Sequence, residues 1–410
     1  MTTPRDPTVI IIGAGIAGLS AGNYLQMNGY RTRIFEMHTL PGGLCTSWQR
    51  GGYTIDGCMH WLVGSGPASS LHRMWQELGI VPRRSFADHD EYIRIEGADG
   101  REFCLYADPD QLEDHMKSLS AADSAVTEKF TGALRQLSGF DFPLENSQES
   151  RGPALAIGSM RHARVLAKWR NVTVMDFAQR FTDPLLRRGF EDVAMGMPEL
   201  PMLALLVPMT WVHAKTAGFP LGGSLAFART MEQRYVALGG EVSYGSQVEK
   251  VLVEDDRAVG IRLADGTEHR AGTVISAADG RTTIFEMLEG RYVDETIRDR
   301  YQRLPLFPPM MQVAFGVSRT FEDLRPVVQG VSLTLDSPLS IAGVEHSRLT
   351  LFPYHFDRTL APEGCSVVKF LLTTDYDWWQ KLYAHPEHYE EEKDRIAGNL
   401  LGVLDTRFPG

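Results

Sequence analysis

Four consecutive apolar residues follow Thr8 in Thr8-Val9-Ile10-Ile11-Ile12, the pattern of a strand covered on both faces in a parallel sheet. The run enters Gly13-Ala14-Gly15-Ile16-Ala17-Gly18, and the periodicity from Leu19 to Asn28 predicts a helix that stops at Gly29. A second strand, Arg31 to Phe35, ends at Glu36. The same alternation returns between 220 and 290. There Pro220-Leu221-Gly222-Gly223 precedes a predicted helix from Leu225 to Leu238, and a strand begins at Val242. Three short strands follow, at 247–253, 258–263 and around 268–270, separated by turns at Asp255-Asp256 and Asp265-Gly266. An apolar strand over 273–276 closes the segment.

The rest of the chain carries no nucleotide pattern. Strands are expected at 91–96 and 102–106, joined by Asp99-Gly100, and later at 311–317, 331–335, 349–352 and 366–372. The expected fold class is α/β. Residues 1–68 and 220–290 would form a Rossmann-like domain, with an inserted α+β substrate domain from 69–219 and 291–410.

The glycine loop supplies the first chemistry. In a strand–loop–helix setting, Gly13 permits the tight turn, Gly15 lets a pyrophosphate approach the backbone, and Gly18 lets helix and strand pack closely. The helix N-terminus offers free N–H donors and the positive end of its dipole. Glu36 stands at the spacing of an acid that accepts ribose hydroxyls. The loop with its strand, helix and acid predicts dinucleotide binding. Against this stands a glycine turn that serves packing alone.

Composition narrows the partners. The 410 residues hold 41 Lys and Arg against 52 Asp and Glu, a net charge of −11, which argues against broad nucleic-acid binding. Cys45, Cys58, Cys104 and Cys365 form no C-x-x-C pair and no metal-ligand spacing, so no metal is expected and the chain reads as reduced and cytoplasmic. The short run at Val9–Ile12 is not a signal peptide. Between 151 and 188, Arg151, Arg161, Arg164, Lys168, Arg170, Arg180, Arg187 and Arg188 face only Asp176 and Asp183. A Met-rich apolar segment follows, Met195-Gly196-Met197 and then Met202 to Val212, in which Pro198, Pro201 and Pro208 preclude one membrane-spanning helix. Residues 151–213 are therefore expected to include a membrane-facing helical part, in competition with an ordinary core behind a solvated basic face. The charge run Glu387–Arg395 reads as a solvated helix face. His60, between Met59 and Trp61, reads first as a packed histidine and second as a proton donor or acceptor.

The motifs Gly13–Leu19, Glu36, Pro41-Gly42-Gly43, Gly52-Tyr53-Thr54-Ile55-Asp56-Gly57, Pro220–Gly223 and Val274–Asp279 together resemble the phytoene desaturase family. That family includes carotenoid desaturases, carotenoid isomerases and retinol saturases, within the flavin amine-oxidase-like superfamily. The resemblance extends to Leu360-Ala361-Pro362-Glu363-Gly364 and Asp375-Tyr376-Asp377-Trp378-Trp379. It implies a glutathione-reductase-like FAD domain and an FAD-dependent oxidoreductase acting on a hydrophobic polyene or isoprenoid. Implied cofactor-binding residues are Gly13, Ala14, Gly15, Ile16, Ala17, Gly18, Glu36, Met37, Gly42, Gly43, Leu44, Val248 and Ala277, with no catalytic residue assigned. Members of the family usually continue past a segment like Arg407-Phe408-Pro409-Gly410 into a glycine-rich motif that covers the flavin, so a flavin pocket short of one wall is expected. The alternatives are an amine or porphyrinogen oxidase, and a non-catalytic flavin- or lipid-binding protein.

Overall fold

The computed structural model describes residues 8–141 and 162–409. Its first sheet has the order Glu241–Ser243, Arg31–Phe35, Thr8–Ile12, Thr273–Ser276, with every pair parallel. Both faces of this sheet are covered, which is why its strands read as unbroken apolar runs. On one face Ile11 and Ile34 pack with Leu19 of the helix Ile16–Met27 and with Met231 and Tyr235 of the helix Gly223–Ala237. On the other, Ile10, Ile12 and Phe35 meet Val248, Val251 and Ile261 of a three-stranded antiparallel meander. The fully buried Tyr235 shares a hydrogen bond of 2.7 Å with Thr32, and its ring lies so close to Gly22 that a Cβ there would stand 2.8 Å from it.

A six-stranded sheet runs in the order Met310–Val317, Ser366–Thr373, Val344–Pro353, Val331–Ile341, Glu91–Glu96, Glu102–Tyr106. Only the contact between Val331–Ile341 and Glu91–Glu96 is parallel. It joins strands far apart in sequence into one surface. Against one part pack Ile396, Leu400 and Leu404 of the helix Pro386–Arg407. The other part carries a helical layer that includes Pro109–Leu119, Ser124–Leu137, Pro184–Val193 and Leu203–His213. Its centre is a phenylalanine cluster in which Phe190 stacks on Phe181 at 5.0 Å and meets Phe130 and Phe177 edge-on at 5.1 and 5.3 Å.

Three expectations change. The strands foreseen at 331–335 and 349–352 are the inner halves of one long hairpin, Val331–Ile341 and Val344–Pro353. Asp336 and Glu345 break its apolar pattern on exposed positions, and Arg348 breaks it at a half-buried position where it pairs with Asp192. A hairpin of Ser47–Arg50 and Tyr53–Asp56 was not foreseen, since Trp48, Gln49 and Arg50 face outward and leave no buried period. The membrane-facing assignment fails for its apolar half. Met202, Leu205, Leu206, Met209, Trp211 and Val212 are buried in the helical core, so they present no surface to a lipid. Arg151 and Arg161 lie outside the described residues. No helix among the described residues is long and apolar enough to cross a membrane. The run at 387–395 lies, as expected, on a mostly exposed helix face, with Lys393–Glu390 and Arg395–Glu392 ion pairs.

Truncating Phe190 to alanine removes the ring that three neighbours share. Phe190→Ala is expected to lower unfolding free energy by about 3–5 kcal/mol, read as a reduced midpoint in urea denaturation.

Candidate functional site

The first parallel strand delivers the chain into Gly13, held at φ +96° with its N–H donating to Phe35 O at 2.8 Å. A Cβ at Gly13 would press on Ala277 O at 3.2 Å, and one at Gly18 would run into the carbonyl of Gly13. These contacts bring the helix Ile16–Met27 down onto the loop. Gly15 is its N-cap and provides no side chain, so the amides of the first turn have no capping oxygen from it. Ala17, in that turn, is exposed.

A second glycine turn closes against the first. Gly42 N–H donates to Ala14 O at 2.8 Å, and Gly15 and Gly42 form an isolated parallel bridge. Gly42 adopts φ +111° and Gly43 φ +59°, and a Cβ on Gly43 would stand 3.4 Å from Gly15 Cα. Glu36 sits between the two turns. Its Oε2 accepts Ala14 N–H at 2.7 Å and its Oε1 accepts His38 N–H at 2.8 Å. Met37 and Leu44, on the outer side of these turns, are 66% and 91% exposed.

Two more of the expected residues arrive from afar. Glu36 O accepts Ser246 N–H at 2.8 Å, which brings in the strand Val248–Glu254, and Ala277 N–H donates to Ile12 O at 2.9 Å. Val248 points its side chain into the core beneath the sheet, leaving only its backbone for an outside contact. The thirteen positions therefore converge on one mouth.

Behind this mouth lie Asp56 and His60, which the sequence placed shortly after the second glycine pair, and Lys369, which it did not mark. Asp56 is buried and accepts the Ser224 N–H, the Ser224 hydroxyl at 2.9 Å and the Cys58 N–H at 3.0 Å. It thereby caps the helix Gly223–Ala237, whose own Gly222 cap has no side chain. Nearby, Lys369 is only 1% exposed, and its ammonium finds no hydrogen-bond acceptor among the described residues. It lies 5.2 Å from the Tyr354 ring and 5.6 Å from the Phe352 ring, within the field of Asp56. Burial pulls its pKa down to about 8. His60 packs edge-on to Phe352 at 5.0 Å, and burial with the Lys369 charge lowers its pKa to about 3. The packed, neutral reading of His60 is the one the structure supports. An imidazole so hard to protonate is not a proton donor at neutral pH.

Phe352 is also a wall of a cavity of about 580 Å³ between the six-stranded sheet and the helical layer. Trp61, Met175, Met195, Met197, Leu200, Met310 and Leu372 give it an apolar side. Arg348 and Asp192, paired at 2.8 Å, form its polar end with Ser332. No group of His, Cys, Asp and Glu among the described residues is arranged to hold a metal ion.

Comparison with known proteins assigns this architecture. Residues 16–392 match the family model described as flavin containing amine oxidoreductase. The chain belongs to that family. As a member it is an FAD-dependent oxidoreductase, on a fold that pairs a Rossmann-type sheet with a second mixed sheet. It is 23% identical to the chloroplastic prolycopene isomerase of Daucus carota, over 99% of this chain and 67% of that protein. It is 25% identical to the neurosporene-forming phytoene desaturase of Cereibacter sphaeroides, over 98% of this chain and 79% of that one. An oxidoreductase structure from Methanosarcina mazei superposes with a TM-score of 0.57 at 19% identity, covering 98% of this chain and 85% of its own. That structural likeness carries the fold.

Lys369 makes a measurable contribution with a defined sign. A folded-state pKa of about 8, below the usual 10.5, means the fold disfavours the charged ammonium. The cost is full below pH 8 and disappears as pH rises toward 10.5. Lys369→Met is therefore expected to stabilise the protein by about 3 kcal/mol at pH 7 and by almost nothing near pH 10.5. Chemical denaturation at the two pH values reads the difference.

Proposed function

We propose that this chain seats FAD across the two glycine turns and moves a hydride between flavin and an apolar polyene or isoprenoid, in a desaturation, saturation or isomerisation. The observation that carries the cofactor placement is the paired-glycine mouth with Glu36 between its turns. The donor set suits a pyrophosphate. Uncapped amides of Ile16, Ala17 and Gly18 offer N–H groups, and the absence of side chains at Gly13, Gly15 and Gly42 lets an anion reach the backbone. Each oxygen of Glu36 accepts one backbone N–H and keeps acceptor capacity for ribose hydroxyls. The backbone at Val248 lies toward the adenine side, through its tie to Glu36. Gly43, Leu44 and Met37 would line the outer edge of the ligand, and Ala277 the floor beneath Gly13.

When bound, FAD supplies a hydride acceptor and donor at its flavin ring. The chain's own residues do the remaining work. The apolar side of the 580 Å³ cavity, rich in methionine, suits a long flexible hydrocarbon and excludes water from it. Carotenoid-modifying relatives favour the same substrate class. His60 stays neutral, and Lys369 places a proton-holding amine behind Phe352. Peripheral attachment, where it occurs, is electrostatic: Arg164, Lys168, Arg170 and Arg180 are exposed while the apolar helix beside them is buried.

Glu36→Ala removes the ribose acceptor but leaves the glycine turns. It is expected to weaken FAD binding by about 10–100-fold, measured by flavin fluorescence on titration. Anaerobic addition of a polyene substrate to wild-type protein is expected to change the flavin absorbance, and bands that never respond would overturn the substrate class. Flotation with phosphatidylserine vesicles is expected at low salt and should vanish by about 0.5 M salt.

A further inference from the structure

The Gly42-Gly43 turn is followed by Cys45, and the hairpin that leaves it returns at Cys58. Ser47 pairs with Asp56 in antiparallel register, and Gly57 N–H donates to Thr46 O at 3.0 Å. The next residues along the two arms are Cys45 and Cys58. Ser47 and Asp56 both stand against Gly223, and Asp56 accepts the Cys58 N–H at 3.0 Å. These residues pack on the start of the helix Gly223–Ala237. Cys45 Sγ lies 3.5 Å from Ser224 O, while Met59 N–H donates to Ser224 Oγ at 3.1 Å. The two thiols act on each other electrostatically.

We propose that Cys45 and Cys58 form a redox-active dithiol, which a hydroperoxide closes to a cross-strand disulfide directly behind the dinucleotide mouth.

The roles follow from placement. Cys58 is partly exposed and Cys45 is buried. The Cys58 thiolate attacks hydrogen peroxide, breaking the O–O bond to give a sulfenic acid and hydroxide. The Cys45 thiol then attacks the Cys58 sulfur, forming the S–S bond and releasing water. In sum, two thiols and one hydrogen peroxide give one disulfide and two waters. The neighbouring Cys45 thiol lowers the Cys58 pKa to about 7 against the opposing effects of burial and Asp56, and Lys369 adds to the lowering. The Cys58 neighbour, with burial, holds Cys45 protonated until it acts. Cys104 is pushed up to about 11 by burial and does not compete.

The test counts thiols and is independent of any substrate. Reduced full-length protein, carrying whatever cofactor it binds, is treated with one equivalent of hydrogen peroxide, and the remaining peroxide is destroyed. The four thiols should fall to two under denaturing assay, and non-reducing peptide mapping should find 45 joined to 58. Dithiothreitol should restore four. In Cys45→Ser the second step is blocked, so dimedone should label Cys58. In Cys58→Ser the three remaining thiols should all survive. Four surviving thiols in the wild-type protein, loss centred on Cys104 or Cys365, or an unlabelled Cys58 in Cys45→Ser would each overturn the proposal.

Discussion

The contact on which the rest depends is the seat of Gly18 on the carbonyl of Gly13. Any side chain at Gly18 would displace the helix Ile16–Met27 from the end of the first strand. Its position aims the first-turn amides at the loop, and the loop in turn holds Ala14. Ala14 then has two obligations: its N–H is taken by Glu36 and its carbonyl by Gly42. The second glycine turn is thus registered on the first, and the hairpin after it is launched at a fixed angle. At the end of that hairpin Asp56 caps the helix Gly223–Ala237. One close backbone approach therefore ties together segments some two hundred residues apart.

The nucleotide-binding half was legible because its signals are local. A strand buried on both faces reads as consecutive apolar residues, and a turn with positive φ reads as glycine. Thr8–Ile12, Arg31–Phe35, Glu268–Arg270 and Thr273–Ser276 all form where the pattern put them. Legibility failed where partners are distant. The outer half of the hairpin Val331–Ile341 and Val344–Pro353 is held by its own ladder in solvent, so no apolar period marks it. Leu203–His213 is apolar all round because it is buried all round, a composition that a lipid-facing segment would share. Only tertiary contacts separate the two.

The thirteen mouth residues were within reach for a similar reason. Most lie in motifs of a few residues, and the distant ones, Val248 and Ala277, follow strands that the parallel sheet must bring back. Lys369 had no such signature. Lys369 sits in Ser-Val-Val-Lys-Phe-Leu-Leu, where a strand pattern would place a lysine at an edge or on the solvent face. In the structure that strand is the second of six, and its lysine is covered by Tyr354 and Phe352.

A buried lysine without an acceptor is costly, and a hydrophobic replacement would pack there at less expense of stability. Its surroundings show how the fold contains that cost. Two aromatic faces offer the ammonium their π-electrons, Asp56 lies within electrostatic range, and a folded pKa near 8 lets the group shed its proton on modest demand. The same charge acts on its neighbours, lowering the pKa of His60 and of Cys58. Burial is the larger cause at His60 and the Cys45 thiol the larger cause at Cys58, and the lysine charge adds to both without a hydrogen bond to either. A neutral methionine at this position would pack well but would withdraw both contributions together, so part of what the fold gives up in stability here returns as a push on two titrating groups behind the glycine turns.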